Sequence, residues 1–301
     1  MRLLHSHHGL VLGLAFSPSG ERLASTDTQG SIFLWDPTFR EPQALPLPDG
    51  MPRVPAYGVA FSPDGRQLAV TFAARHSEQK PTEGIAVWDL ETLESHFVPT
   101  ENFSAYQISF HPTEDALAAV CFHSGARLQR RDLRTNEKLD IVDGREDIWQ
   151  LALSPDGRWF AGAGNHPTIH IWDWKTGAIF NEGGNEDPGT VSSLAFHPSS
   201  EKMVAIGWGK KAWCWTYPDR WEKLESVNQW SERTGVFTPD GRSLLTAGDS
   251  NGIRLWNTDD WSLRCEYEWD VSRVDRIAVS PDGSRAAVGA AFGQLVVWDL
   301  D

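Results

Sequence analysis

Cysteine is scarce: three residues in 301, Cys121, Cys214 and Cys265. They lie far apart, form no CxxC pair and sit in apolar, strand-like runs. The pattern supports no disulfide framework and no thiolate metal site, and reduced, buried thiols are expected. Basic residues are in deficit, with 27 Lys and Arg against 41 Asp and Glu and a formal net charge of −14. A polyanion such as nucleic acid or an anionic membrane is repelled by such a protein, and no long Lys/Arg run offsets the charge. No apolar run approaches the length of a membrane span. The apolar stretch Gly9 to Phe16 follows only a weakly positive segment, is short, and has no small-residue cleavage site after it, so it does not read as a signal peptide. A cytoplasmic location is the resulting expectation. Catalytic signatures are also missing. There is no Walker loop, no GxSxG and no HExxH, and Gly162-Ala163-Gly164 lies between strands rather than ahead of a helix.

What the sequence does have is repetition. An apolar residue followed by a Ser-Pro-Asp-Gly-like turn occurs at Phe16 to Gly20, Phe61 to Gly65, Phe110 to Glu114, Leu153 to Gly157, Phe196 to Ser200, Phe237 to Gly241 and Val279 to Gly283, spaced 41 to 49 residues apart. Proline presets φ at the second turn position, Asp or Ser bonds back to the backbone, and Gly supplies a positive φ. A strand precedes each turn and a second follows it. A third ends in Trp-Asp or a variant, as at Trp35, Trp88, Trp172, Trp256 and Trp298, and a short fourth comes after another turn. Four short strands per unit make one small antiparallel sheet. Such a sheet cannot bury both faces alone, whereas seven packed around an axis can, and closing the ring removes the ends. The expected fold is therefore all-β: a single seven-bladed β-propeller over residues 1–301, with four-stranded antiparallel blades. The last unit lacks an outer strand at the C-terminus, so Arg2-Leu3-Leu4-His5 is expected to pair with the last blade and latch the ring.

These turns and Trp-Asp strand ends resemble the WD-repeat family over essentially the whole chain. The resemblance implies a rigid, non-catalytic platform for a protein or peptide. It also implies a polar network in each blade: a His before the inner strand, a Ser or Thr on the second strand, an Asp in the next turn, and the Trp. Only His7 stands in the His register, and the Asp register reads Gln29, Asn251 and Phe292 in the first, sixth and seventh blades, so no blade is expected to complete the network. The third blade has Arg131-Asp132 and the fifth Trp215-Thr216 in place of Trp-Asp. Blade stability is therefore expected from apolar packing.

The resemblance further implies that the residue four before each anchor faces the channel mouth on the top face. Here those residues are Leu12, Tyr57, Tyr106, Trp149, Ser192, Arg233 and Asp275. Tyr57, Tyr106 and Trp149 offer large rings with polar edges on consecutive blades, with Arg233 and Asp275 opposite, and together these five are the candidate partner-binding residues. Space-filling near the channel wall is the competing reading. The connection from Ala73 to Gly84 is long and belongs to the same face, either as a functional loop or as a tolerated insertion. Trp208, Trp213, Trp221, Trp230, Trp261 and Trp269 are expected to cap blade edges, with a lateral contact surface as the competing reading. His5, His7 and His8 match no metal-site spacing, and His111 and His197 read as turn residues. The reading is thus a monomeric protein- or peptide-binding scaffold without cofactor or metal. A small-ligand or glycan binder at the channel mouth is the alternative, and a propeller hydrolase or lyase a more distant one.

Overall fold

A computed structural model of the chain describes residues 1–73, 83–99, 104–122, 126–132, 138–140, 148–165, 168–183, 189–209, 211–249, 252–269 and 271–300. The strands form seven four-stranded antiparallel sheets, the blades. Blade 1 runs through Val11–Phe16, Leu23–Asp27, Ile32–Trp35 and Gln43–Ala44. The inner strands of blades 2 to 7 are Ala56–Phe61, Ser104–Phe110, Ile148–Leu153, Val191–Phe196, Glu232–Phe237 and Val274–Val279. Each inner strand lies against the next around the axis, and Val274–Val279 lies against Val11–Phe16, so the ring is closed.

The closure is the expected one. Arg2–His5 pairs antiparallel with Gln294–Asp299 in the register Arg2 to Val297, Leu3 to Val296, Leu4 to Leu295 and His5 to Gln294. Side chains alternate across a strand. Leu4 is accordingly buried among Leu23, Trp35, Phe39, Ala287, Leu295 and Val297, whereas Leu3 points outward. One four-residue strand thus joins blade 7 to the core of blade 1.

Between blades the core is apolar, and the Trp-Asp tryptophans are its largest pieces. Trp35, Trp88, Trp215 and Trp256 are fully buried, with Trp172 and Trp298 nearly so. Blade 3 has no such tryptophan, because Arg131 takes the place. Trp174 of blade 4 packs instead against Ala116, Ala118 and Val120 of blade 3 and donates its indole N–H to Glu114 at 2.8 Å. The bottom turns interlock as well. His111 and His197 are more than turn residues: their Nε2 atoms lie 2.8 and 2.9 Å from the carbonyls of Gly157 and Gly241 in the next blade's turn. Those glycines have φ of 72° and would drive a Cβ to 2.4 Å from the imidazole, so both the turn and the staple require glycine.

The polar network of blade 1 corrects the expectation drawn from sequence, where Gln29 held the Asp register. The acid is Asp27, and the set is complete. His7 Nδ1 lies 3.0 Å from Asp27 Oδ2, His7 Nε2 lies 2.7 Å from Ser25 Oγ, and Trp35 Nε1 donates to Ser25 Oγ at 2.8 Å. One proton arrangement satisfies all members: His7 donates to Asp27, Ser25 donates to His7, and Trp35 donates to Ser25. The other oxygen of Asp27 accepts the N–H groups of Gln29 and Ser31, which fixes the turn. Burial alone pushes the Asp27 carboxyl upward, but the hydrogen bonds from His7, Ser31 and Gln29 prevail and hold it below the ordinary aspartate value. Among the described residues of the other blades no equally complete set occurs. Trp256 donates to Thr246, whereas the indole N–H groups of Trp215 and Trp298 are buried with no partner among the described residues. Ser25→Ala strands two buried polar atoms at once. It is expected to cost about 2 to 4 kcal/mol, read as a lower midpoint in urea at unchanged slope.

Of the thiols, Cys214 is buried, and burial pushes it up to about 11, which makes it inert at neutral pH. Cys265 is only half-buried, on an outer strand, contrary to the expectation of a core position. No helix among the described residues is long and apolar enough to cross a membrane.

Candidate functional site

Every inner strand breaks its ladder at the same place. The pairing register skips Leu12 in blade 1, the Tyr57-Gly58 pair in blade 2, Tyr106 in blade 3, Trp149 in blade 4, Ser192 in blade 5, Arg233 in blade 6 and Asp275 in blade 7. A β-bulge leaves one residue unpaired, bends the strand and re-aims a side chain. The bulged positions are the seven of the sequence-derived ring. The geometry that sets them apart is therefore a repeated backbone irregularity at one end of each inner strand.

The ring residues divide into two groups. Tyr57 and Tyr106 meet edge to face, with ring centroids 4.8 Å apart, and both are half-buried. Trp149, Ser192, Arg233 and Asp275 instead line one cleft of about 110 Å³, together with Gln150, Trp208 and Arg276. These residues come from blades 4, 5, 6 and 7, so the cleft lies across the mouth of the channel. Trp149 therefore belongs with Arg233 and Asp275 rather than with the tyrosines. Its indole N–H donates to the Val191 carbonyl of the next blade at 3.0 Å, which fixes the ring's orientation. Leu12 is buried.

Trp208 was grouped by sequence with the edge-capping tryptophans, yet it is 53 % exposed at the cleft. Its neighbours Gly207 and Gly209 are the available signal, because Gly209, at φ 80°, makes the tight turn that displays the ring. Five of that group do pack as caps. Trp213 is buried, Trp221 packs on the core between blades 4 and 5, and Trp230 lies under the Arg254 guanidinium at 3.5 Å. Trp261 donates to Glu222, and Trp269 packs on Trp298.

The charges at the mouth are ordered by partners that sequence spacing did not reveal. Arg233 Nε donates to Asp249 at 2.5 Å, its guanidinium sits 5.3 Å from the Trp208 ring centroid, and its NH1 is 4.0 Å from Asp275. Asp275 Oδ2 accepts from Arg273 Nε and lies 2.9 Å from its NH2. Arg276, one residue beyond the bulge, donates Nε to the Leu12 carbonyl at 2.6 Å and NH1 to the Asp275 carbonyl at 2.7 Å. Burial lowers its guanidinium below the ordinary arginine value while the Asp275 charge acts in the opposite sense. An arginine so placed remains a cation. Residues 74–82 of the long connection between Ala73 and Gly84 lie outside the described residues. Among the described residues, no group of three or more His, Cys, Asp or Glu side chains is placed to hold a metal ion.

Comparison with known proteins agrees with this architecture. A family model described as WD domain, G-beta repeat, matches residues 1–36, 136–173 and 225–257. Actin-interacting protein 1 of Drosophila melanogaster is 24% identical over 321 residues, covering 98% of this chain and 48% of that protein. Striatin-4 of Mus musculus is 24% identical over 213 residues, covering 68% of this chain and 27% of that protein. A WD repeat-containing protein WDS homolog of Arabidopsis thaliana is 28% identical over 187 residues, covering 56% of this chain and 33% of that protein. The chain thus spans between about a quarter and a half of the length of these relatives.

Proposed function

We propose that this chain, a divergent member of the WD-repeat family, is a non-catalytic scaffold that holds a protein or peptide across the top mouth of its channel, using Tyr57, Tyr106, Trp149, Arg233 and Asp275. The observation that carries this reading is the bulge repeated in all seven inner strands, which turns those residues out of the ladder at one end of the ring. Half-buried aromatics and an arginine set in a cleft are the residue types that anchor interfaces, because they supply large contact area at small entropic cost. Rigid sheets on all sides hold them in place before a partner arrives. The relatives, among them an actin-interacting protein, carry names that agree with work done by association.

The test is affinity capture with wild type beside a Tyr106→Ala/Trp149→Ala variant. The variant is expected to lose the partner, a drop of about tenfold or more in affinity, while its circular dichroism stays that of a folded β protein. Full retention of the partner by the folded variant rejects this face.

A further inference from the structure

Among the described residues, the lining of the cleft carries more guanidinium groups than carboxylates, in a protein that is acidic as a whole. Among the described residues, Arg233, Arg276 and Asp275 line the cleft, with Asp249 paired to Arg233 and Arg273 paired to Asp275 behind them, three guanidinium groups against two carboxylates. The carboxylates are both engaged: Asp249 by Arg233, and Asp275 by Arg273. Arg276 forms no salt bridge among the described residues, and its two hydrogen bonds go to backbone carbonyls. Those carbonyls fix the position of the guanidinium without neutralising it. The adjacent acid Glu232 does not compensate either, because its side chain is buried and paired with Arg254.

We infer that the cleft takes an anionic side chain of a bound peptide, a carboxylate or a phosphate, with Arg276 as its main counter-charge and Arg233 as the second. The inference rests on the reading of the mouth as a peptide-binding face and names the chemistry that face selects. A cation is disfavoured there, although two tryptophans line the cleft. The Trp208 face already holds the Arg233 guanidinium, and the Asp275 carboxylate is already matched. An anion, by contrast, meets a pre-positioned guanidinium whose desolvation has been met in the folding of the ring. The walls supplied by Trp149 and Trp208 suit the apolar stem of such a side chain. With a net charge of −14 on the whole protein, an anion is admitted where guanidinium groups offset that charge locally, as they do in this cleft.

The experiment measures binding of short fluorescent peptides that share varied flanks and carry a central Glu, phosphoserine, Gln, Ser or Lys. The best Glu or phosphoserine peptides are expected to bind about tenfold more tightly than their Gln or Ser counterparts, with Arg276→Gln removing that preference. Raising salt from about 0.05 to about 0.5 M is expected to weaken the anionic peptides selectively. Comparing the Glu and phosphoserine arms identifies which anion is preferred. If Gln or Lys peptides bind as well as the anionic ones and still need Trp149, the charge inference fails while the scaffold reading stands. If no peptide of any charge binds, both fail. Should Arg276→Gln not fold, Arg233→Gln carries the test, and an unchanged preference there and at high salt overturns the inference.

Discussion

Leu4→Asp is expected to open the ring at its seam and to lower the thermal midpoint by on the order of 10 °C, whereas Leu3→Asp, one residue away, is expected to change it little. The difference lies in which face of a single strand each side chain occupies. Leu4 is packed beneath blades 7 and 1 against Trp35, Leu295 and Val297, whereas Leu3 is 44 % exposed. A carboxylate at position 4 loses the transfer energy of a buried leucine and has no partner for its charge, a combined cost of about 4 kcal/mol or more. The damage is also topological. Six of the seven blades are continuous in sequence, and blade 7 alone depends on residues from the other end of the chain. Breaking that pairing exposes the edge of Gln294–Asp299 and removes the wall behind Trp35. Arg2, which donates to the Thr38 carbonyl, goes with it. Thermal unfolding of the two variants side by side, with hydrogen exchange to locate the change, tests this. Faster exchange should appear first in blades 1 and 7. Equal midpoints for Leu3→Asp and Leu4→Asp would show that the seam is not what holds the ring shut.

Arg254→Leu is expected to be nearly as costly, and its cost should depend on pH. Arg254 sits 2 % exposed on the third strand of blade 6. It donates NH1 to Glu232 Oε1 at 2.9 Å and NH2 to Glu266 Oε1 at 2.5 Å, and it lies over the Trp230 ring. Burial pushes Glu232 up to about 6 even with the arginine beside it, while hydrogen bonding and charge from Arg254 pull in the other direction. A carboxyl held above its unfolded value binds protons more tightly in the folded state. Its contribution to stability is therefore full below about pH 4.5 and is lost as pH rises through about 6. Removing Arg254 takes away what favours the ionised form, so the carboxylate is left buried without its cation, at about 3 to 5 kcal/mol near neutral pH. The deficit against wild type should shrink as pH falls toward 5, and adding Glu232→Gln should recover part of it at pH 8. Urea unfolding of wild type, Arg254→Leu and the double variant at several pH values measures this. A deficit that is the same at pH 5 and pH 8 would argue against an ionised Glu232 as its source.

The fold was readable because its signals are local and repeated. The turn at Ser154-Pro155-Asp156-Gly157 and the strand end at Trp172-Asp173 each say little alone, but seven phased copies allow one architecture, and the latch at Leu3 and Leu4 follows from counting strands. The ring of mouth residues was readable through the same phase. What sequence could not supply was partnership. Asp27 is not marked by spacing, which points to Gln29, and nothing local in the sequence shows that one carboxylate both caps the turn and anchors His7. The pairs Arg233 with Asp249 and Arg273 with Asp275 depend on how side chains turn at a bulge, and a bulge has no compositional mark when the bulged residue can be Leu, Tyr, Trp, Ser, Arg or Asp. Trp208 looked like its neighbours because all are tryptophans in a tryptophan-rich stretch. Only its two flanking glycines distinguish it.

That indifference of the bulge to side-chain type has a consequence for how such a ring can change. A residue that stands outside the ladder on a fixed backbone can be exchanged without disturbing any strand pairing, so the six half-buried mouth positions, all but the buried Leu12, behave as sockets on a rigid rim. Recognition can then drift one socket at a time while the wheel beneath keeps its shape. A panel of variants altered only at these sockets should therefore differ widely in what they hold and hardly at all in when they melt.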